Sequence, residues 1–217
     1  MDEVRLKILE WFMENGRHDL PWRKGKLTQF QYLLTEKLLQ QTTVTHVLKI
    51  YHSFMKKYGE PYALAEASKK ELASMLKPLG FYNFRADEFI KIAKEIVEKF
   101  EGKVPEDLES LKSLPGIGDY TAKSVLIAAC GEKLVAVDEN LKRLGGRFFF
   151  GVEKASRKQV RELEEKFLEM MGDSDPREFN WALLDFSWAV CKKNPVCEEC
   201  PIRRYCRYYS TRGSPRS

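Results

Sequence analysis

The sequence predicts an all-α protein. Three observations carry that prediction. Apolar residues recur at helical spacing along nearly the whole chain. Cap residues and glycines stand where such helices would start and stop. The only strand-like run, Leu134–Val137, is too short to anchor a sheet.

The elements follow in order. Val4, Ile8, Trp11 and Phe12 make a first apolar stripe. Thr28 stands where it would cap a helix carrying Phe30, Leu33, Leu34 and Leu38. Val44, Val47, Leu48, Tyr51 and Met55 form the next stripe, ending near Gly59. Ser68 with Glu71 reads as a capping box ahead of Leu72, Met75 and Leu76. Phe89, Ile90, Ala93, Ile96, Val97 and Phe100 form a long stripe that stops at Gly102. Leu108–Leu114 and Tyr120–Cys130 read as two helices joined by Pro115-Gly116-Ile117-Gly118. Leu163–Met171 and Phe179–Val190 are two more. Two lobes are expected: a central block over residues 22–131 with six or so helices, and residues 1–21 combined with 132–211. A groove between two lobes is a natural place for a ligand. Residues 212–217 are expected to form a disordered tail.

The 217 residues are enough to bury a real core. No apolar run approaches the roughly 20 residues that a membrane span needs, and Met1–Arg5 leads into a charged amphipathic stretch unlike a secretory leader. A soluble, intracellular monomer is the expectation. The net charge of +5 is modest, but residues 187–217 hold seven Lys/Arg against two Glu, so the excess sits at one end.

Four of the five cysteines crowd into that basic end, as Cys191-KKNPV-Cys197-EE-Cys200-PIRRY-Cys206. Such density without signs of secretion reads as a metal site rather than a disulfide framework. Zinc and a [4Fe–4S] cluster both accept four cysteines. The single CxxC pair with five-residue gaps on either side suits the larger cuboidal cluster. Cys130, alone on an apolar helix, is expected to be a small core residue.

The Pro115–Gly118 turn offers positive φ, close approach and backbone N–H groups at a helix start, a combination that suits an anion such as a DNA phosphate. A plain hairpin between two helices is the equal alternative at this level. Asp138 ends the apolar run LVAV and precedes ENLKRL, where it would cap a helix or face a developing cation. Glu36, between Leu34 and Leu38, sits at the edge of a core face or pairs on an exposed one.

Taken together, LPWR at 20–23, TEKLLQQTT at 35–43, GFYNFRA at 80–86, LPGIGDYTA at 114–122, VDENLKR at 137–143, FNWALLDFSWAVC at 179–191 and the cysteines form an ordered set. It resembles the helix–hairpin–helix DNA glycosylases that carry an iron–sulfur cluster, the superfamily of endonuclease III and adenine DNA glycosylase. The resemblance covers nearly the whole chain. It implies a six-helix barrel lobe bearing the hairpin and a second lobe holding a [4Fe–4S] cluster on Cys191, Cys197, Cys200 and Cys206. The first cysteine gap is five residues here against six in most of that family.

The implied activity is excision of a damaged or mispaired base from double-stranded DNA, with the nucleotide flipped into a pocket. Asp138 matches the aspartate that stabilises charge on the sugar and handles water, Glu36 an acid that contacts the departing base. Gln41 matches a residue that fills the gap in the duplex, and Phe81, or its neighbour Tyr82, the wedge from the other side. Gln40, Thr42, Gly116, Gly118 and Lys142 fall in the blocks that contact DNA. Where endonuclease III-like enzymes carry a Schiff-base lysine, this chain has Tyr120, which has no amine to form an imine. The resemblance therefore implies a monofunctional glycosylase, with Tyr120 at the catalytic site and Lys123 a solvated or phosphate-contacting residue. Tyr120, together with a chain that ends eleven residues after Cys206 where adenine glycosylases continue into a further domain, favours thymine or uracil opposite guanine. The alternative is adenine in A·G or A·8-oxoG pairs, which Gln40 and Gln41 resemble more. A bifunctional glycosylase/lyase and a non-catalytic DNA-binding module are the remaining readings. A repair enzyme of this kind would be intracellular and associated with the nucleoid.

Overall fold

A computed structural model describes residues 1–212 of the chain, and no strand occurs among the described residues. The helices in chain order are α1 (Asp2–Asn15), α2 (Pro21–Lys24), α3 (Gln29–Leu39), α4 (Val44–Tyr58), α5 (Pro61–Ala65), α6 (Lys69–Leu76), α7 (Tyr82–Phe100), α8 (Leu108–Ser113), α9 (Asp119–Val125), α10 (Glu139–Gly145), α11 (Val160–Met171), α12 (Pro176–Ala189) and α13 (Arg207–Arg212). None of the described helices is long and apolar enough to cross a membrane. Two compact units emerge: Pro21–Cys130, and Met1–Leu20 together with the chain from Gly131 onward.

The Pro21–Cys130 unit is built around α7, which packs against α5 and α6, while α3 packs on α9. Leu33, Leu34, Leu38, Val47, Phe54, Leu72, Leu76, Phe89, Ile92 and Ile96 are all withdrawn from solvent, and Phe54 stacks on Phe89 at 5.4 Å between ring centroids. The helix starts follow capping chemistry where a side chain is free to cap. Thr28 accepts from the Gln31 N–H and Gln31 reaches back to the Thr28 N–H, a complete capping box. The box expected at Ser68 does not form: Ser68 makes no side-chain cap bond. Glu71 is drawn to Lys57 instead, with Nζ–Oε2 at 2.8 Å. At the far end of α7, Glu101 takes a left-handed conformation and the Gly102 N–H closes onto the Ile96 carbonyl at 3.0 Å.

Cys130 departs from its expected place in the core. After α9 the chain widens into a π-helical turn over Leu126–Cys130. The extra residue per turn rotates the last side chain off the apolar face. Cys130 ends exposed, its Sγ 3.3 Å from Gln29 Nε2.

The other unit gathers α1, α10, α11 and α12 around Phe12, Leu141, Leu163, Phe167, Phe179, Leu183 and Phe186. Trp11 meets Phe186 edge-on at 5.2 Å. The segment Leu134–Val137 is not a strand. Its buried backbone is satisfied by Asn180, whose Oδ1 accepts the Ala136 N–H at 3.2 Å and whose Nδ2 donates to the Leu134 carbonyl at 2.9 Å. One side chain thus replaces a partner strand and delivers the chain to Asp138. Asp185, buried on α12, takes Nε and the backbone N–H of Arg17 at 2.8 Å each. Arg212 closes α13 and so does not belong to the expected tail, while residues 213–217 lie outside the described residues.

Candidate functional site

The candidate residues fall into two sets, one in each unit. Asp138 does cap a helix: its Oδ1 accepts the Leu141 N–H at 2.7 Å, at the start of α10. Its Oδ2 accepts from Asn140 Nδ2 at 2.9 Å. Asn140 Oδ1 in turn accepts from Arg143 Nη2 at 3.0 Å, and Arg143 donates to the carbonyls of Cys191 and Ser187 at 2.8 and 3.0 Å. The half-buried carboxylate is thereby aimed from behind, and each oxygen keeps a lone pair for a further contact. Capping and chemistry are compatible roles for it.

Beside it, Lys142 is half-buried and tied to Glu139 at 2.7 Å, and Glu139 also pairs with Lys154. These two lysines, Lys142 first, hold the Glu139 carboxyl down at about 2. Trp188, next to Ser187, stands exposed with the Arg17 guanidinium over its ring at 4.8 Å. Asn140, Arg143, Trp188, Lys192 and Lys193 surround one basic surface hollow.

In the Pro21–Cys130 unit, Glu36 and Tyr120 are both half-buried, on α3 and in the first turn of α9. Glu36 lies one turn before Gln40 on the same helix face. Gln40 Nε2 donates to Thr121 Oγ1 at 3.1 Å, so that face is turned toward the start of α9. Lys123 is not the solvated lysine expected: it is buried, and its Nζ is 2.7 Å from Asp119 Oδ2, one turn back.

Gln41 and Phe81 both adopt left-handed backbone conformations, with φ of 51° and 48°. Such values are costly for residues other than glycine and persist only where the surroundings impose them. Both side chains are exposed, Phe81 to 72%. They line one cavity of about 270 Å³ with Gln40, Phe84, Arg85 and Glu88. Tyr82 is also exposed, and Thr42 is half-buried beside Gln41.

The two turn glycines serve different ends. Gly116 has φ +67°, and a Cβ there would fall 1.9 Å from Glu88 Oε1 and 3.2 Å from Lys37 Nζ. The positive φ favours glycine, and any side chain would have to displace the Glu88 carboxylate. Gly118 has ordinary extended backbone, and a Cβ would meet nothing within 4 Å. Its bareness leaves an open face for another molecule to approach the backbone.

Two groups escaped the sequence reading. Lys37 is 1% exposed, and its ammonium meets Glu88 at 2.8 Å, Gln40 Oε1 at 2.8 Å and the Gly116 carbonyl at 3.2 Å. Its place three and four residues after Leu34 and Leu33 was the available signal. Arg85, also buried, donates to the carbonyls of Gly80 and Lys37 at 3.1 Å each and to that of Gln40.

The four cysteines line a single cavity with Leu144, Phe148, Phe186, Val190 and Ile202. Burial pushes the Cys200 thiol up to about 12 and raises that of Cys191. Arg147 opposes this at Cys191, with Nη1 3.7 Å from the sulfur, and fixes the following loop through the Lys192 and Lys193 carbonyls at 2.7 and 3.0 Å. The site is thus lined by four sulfur donors around one largely apolar cavity, a donor set that fits a sulfur-bound metal group.

An all-helical chain with a Gly-Ile-Gly hairpin, exposed Gln41 and Phe81 in left-handed conformation and a helix-capping aspartate belongs to the class of helix–hairpin–helix DNA repair proteins. Residues 35–170 match the family model of the HhH-GPD superfamily of base excision DNA repair proteins, and the chain belongs to that family. It is 38% identical over 216 residues to a thymine/uracil-DNA glycosylase of Pyrobaculum aerophilum, with 97% of this chain and 93% of the relative covered. Its fold is similar to the solved structure of a thermostable thymine-DNA glycosylase, with TM-score 0.88, 32% identity and coverage of 96% and 98%. A trapped endonuclease III–DNA covalent intermediate is similar at TM-score 0.81 and 25% identity, with 97% and 95% covered.

Proposed function

We propose that the protein is a monofunctional DNA glycosylase that removes thymine or uracil mispaired with guanine. The observation that carries this reading is Tyr120. It occupies the first turn of α9 directly behind the hairpin, where a lyase needs an amine, and the neighbouring Lys123 amine is held by Asp119. The similarity to thymine and uracil glycosylases supports the choice of base. Gln40, whose resemblance pointed toward adenine, has both ends of its amide committed inside the protein, to Lys37 and Thr121.

The reaction breaks the bond between C1′ of the deoxyribose and the base nitrogen. Water supplies the oxygen that ends on C1′, and the base leaves with a proton. Asp138 stabilises the positive charge that builds on the sugar and orients the water, using the lone pairs left after capping. Glu36 donates a hydrogen bond or a proton to the departing base. Gln41 fills the stack from which the nucleotide leaves, and Phe81, with Tyr82 beside it, wedges the opposite strand. The open face at Gly118, Thr42 and the basic Lys142 contact the backbone, a grip that carries no sequence information. Cys191, Cys197, Cys200 and Cys206 would hold a [4Fe–4S] cluster, which when bound supplies a redox-capable cross-link between the end of α12 and the start of α13. The substrate places the enzyme with the cell's DNA, where it acts as a monomer on one duplex.

Duplexes carrying G·T, G·U, A·G and A·8-oxoG, each assayed with and without alkali, test the reading. Cleavage after alkali in the first two supports it. Release from the A-containing pairs alone would make the enzyme an adenine glycosylase, and strand breaks without alkali would make it a lyase. Tyr120→Lys is expected to gain an imine that borohydride traps on abasic DNA; no adduct would mean residue 120 does not face the sugar.

A further inference from the structure

Three loops of the Pro21–Cys130 unit carry the residues assigned to DNA: the end of α3 with Gln41, the start of α7 with Phe81, and the hairpin turn. They come from distant parts of the sequence, yet a single buried cluster of charge touches all three. Lys37 reaches the turn through the Gly116 carbonyl at 3.2 Å and the end of α3 through Gln40 Oε1 at 2.8 Å. Glu88, on the second turn of α7, neutralises it at 2.8 Å. Arg85, one turn into the same helix, donates to the last carbonyls of α3 and to that of Gly80, the residue before Phe81. Gly116 has no side chain because one would occupy the space of the Lys37–Glu88 pair.

We propose that Lys37, Arg85 and Glu88 form a positioning hub that fixes the spacing of Gln41, Phe81 and the hairpin turn, and so governs opening of the duplex rather than cleavage of the glycosidic bond. Three features set the hub apart from an incidental ion pair. A buried lysine is expensive to place in an apolar core, and leucine or methionine there would be the ordinary solution for α3. Between them Lys37 and Arg85 donate to the backbone carbonyls of Gly116, Gly80, Lys37 and Gln40, so charge is used to gather chain ends. Finally, the two residues it flanks, Gln41 and Phe81, hold left-handed conformations that need imposing from outside. The contacts of Lys37 and Arg85 tie the three loops to one another, so the hub positions and does not catalyse.

The inference rests on the DNA-opening part of the proposed function, and its test is separable from base specificity. In an Asp138→Asn background, which stops excision, 2-aminopurine beside the mispaired base of a G·T duplex reports unstacking on binding. Lys37→Met keeps the volume and removes the charge. In a folded Lys37→Met protein the fluorescence rise is expected to fall about tenfold, whereas in the Asp138 parent excision of uracil facing an abasic site, which is already unpaired, changes by no more than about twofold. Excision from a G·U duplex falls with the fluorescence. Unchanged fluorescence in the folded variant, or equal losses on paired and unpaired uracil, overturns the proposal. If Lys37→Met does not fold, Glu88→Gln, which keeps an oxygen toward Lys37, is expected to lose part of the signal, and an unaltered signal there overturns the proposal as well. A wild-type protein that opens the duplex but releases no base defeats the functional reading and leaves the fluorescence to decide the hub. A wild-type protein that opens no duplex overturns both.

Discussion

Each unit secures a functional loop with an arginine that gathers backbone carbonyls, yet the two arginines differ in what else holds the loop. Arg85 is buried and collects the carbonyls of Gly80, Lys37 and Gln40, with Lys37 and Glu88 beside it. Protein charge ties together the loops that carry Gln41 and Phe81. Arg143 is half-buried and collects the carbonyls of Ser187 and Cys191, behind Asn140 and Asp138. The loop it anchors also carries the four cysteines, and burial opposes ionisation at Cys200 and Cys191. On the proposed function, the loop with the cysteines is closed by a bound group as well as by protein, whereas the loops beside Arg85 are held by protein groups.

The largest expected effect breaks the comparison at its second half. Cys200→Ser is expected to remove iron and the broad visible absorbance of the protein, and to cost several kcal/mol in the unit that holds the cysteines. Calorimetry should then show an early transition with the Pro21–Cys130 unit melting as before. A colourless wild type, or a variant that keeps its iron, would show that these thiols are not the ligands. Next, the two arginines can be set against each other. Arg85→Ala removes a buried guanidinium from three carbonyls, that of Lys37 buried, and should cost about 3 kcal/mol in urea unfolding, against about 1 kcal/mol for the more accessible Arg143→Ala. The reverse order would mean that the cysteine loop depends on protein charge more than the wedge loops do.

The smallest effect lies at the surface near Asp138. The folded pKa of Glu139, about 2, is below its ordinary 4.5, because Lys142 and Lys154 bond to it. A depressed carboxyl contributes stability above its unfolded pKa and loses it as pH falls through the folded value. Melting temperature should therefore drop slightly between pH 4.5 and 2 in low salt, less so in high salt because the pair is exposed, and Glu139→Gln should lack this component. An equal drop in Glu139→Gln would assign it to other carboxyls.

Much of this was legible in the sequence because the signals are local. Helical spacing marked the helices, and Thr28 stood where its helix is capped. What was hidden depends on partners far along the chain. Ser68 loses its box because Glu71 answers Lys57, and Cys130 leaves the core because a π turn changes the period. Lys37 escaped notice because Glu88 and Gly116, which make its burial tolerable, are remote in sequence. The two glycines of LPGIG are identical letters, yet one is dictated by Glu88 from within and the other leaves a face open outward. The sequence places Asp138 where it would either cap or catalyse, and the geometry shows room for both.

That dual role yields the most direct test. Asparagine caps a helix about as well as aspartate but carries no charge for an oxocarbenium ion. Base release from a G·T duplex by Asp138→Asn, measured beside its melting temperature, should fall by roughly 10²–10⁴ while the melting temperature and DNA binding stay near those of the wild type. A variant that still releases thymine at the wild-type rate would contradict the mechanism, and one that loses stability along with activity would reduce Asp138 to a helix cap.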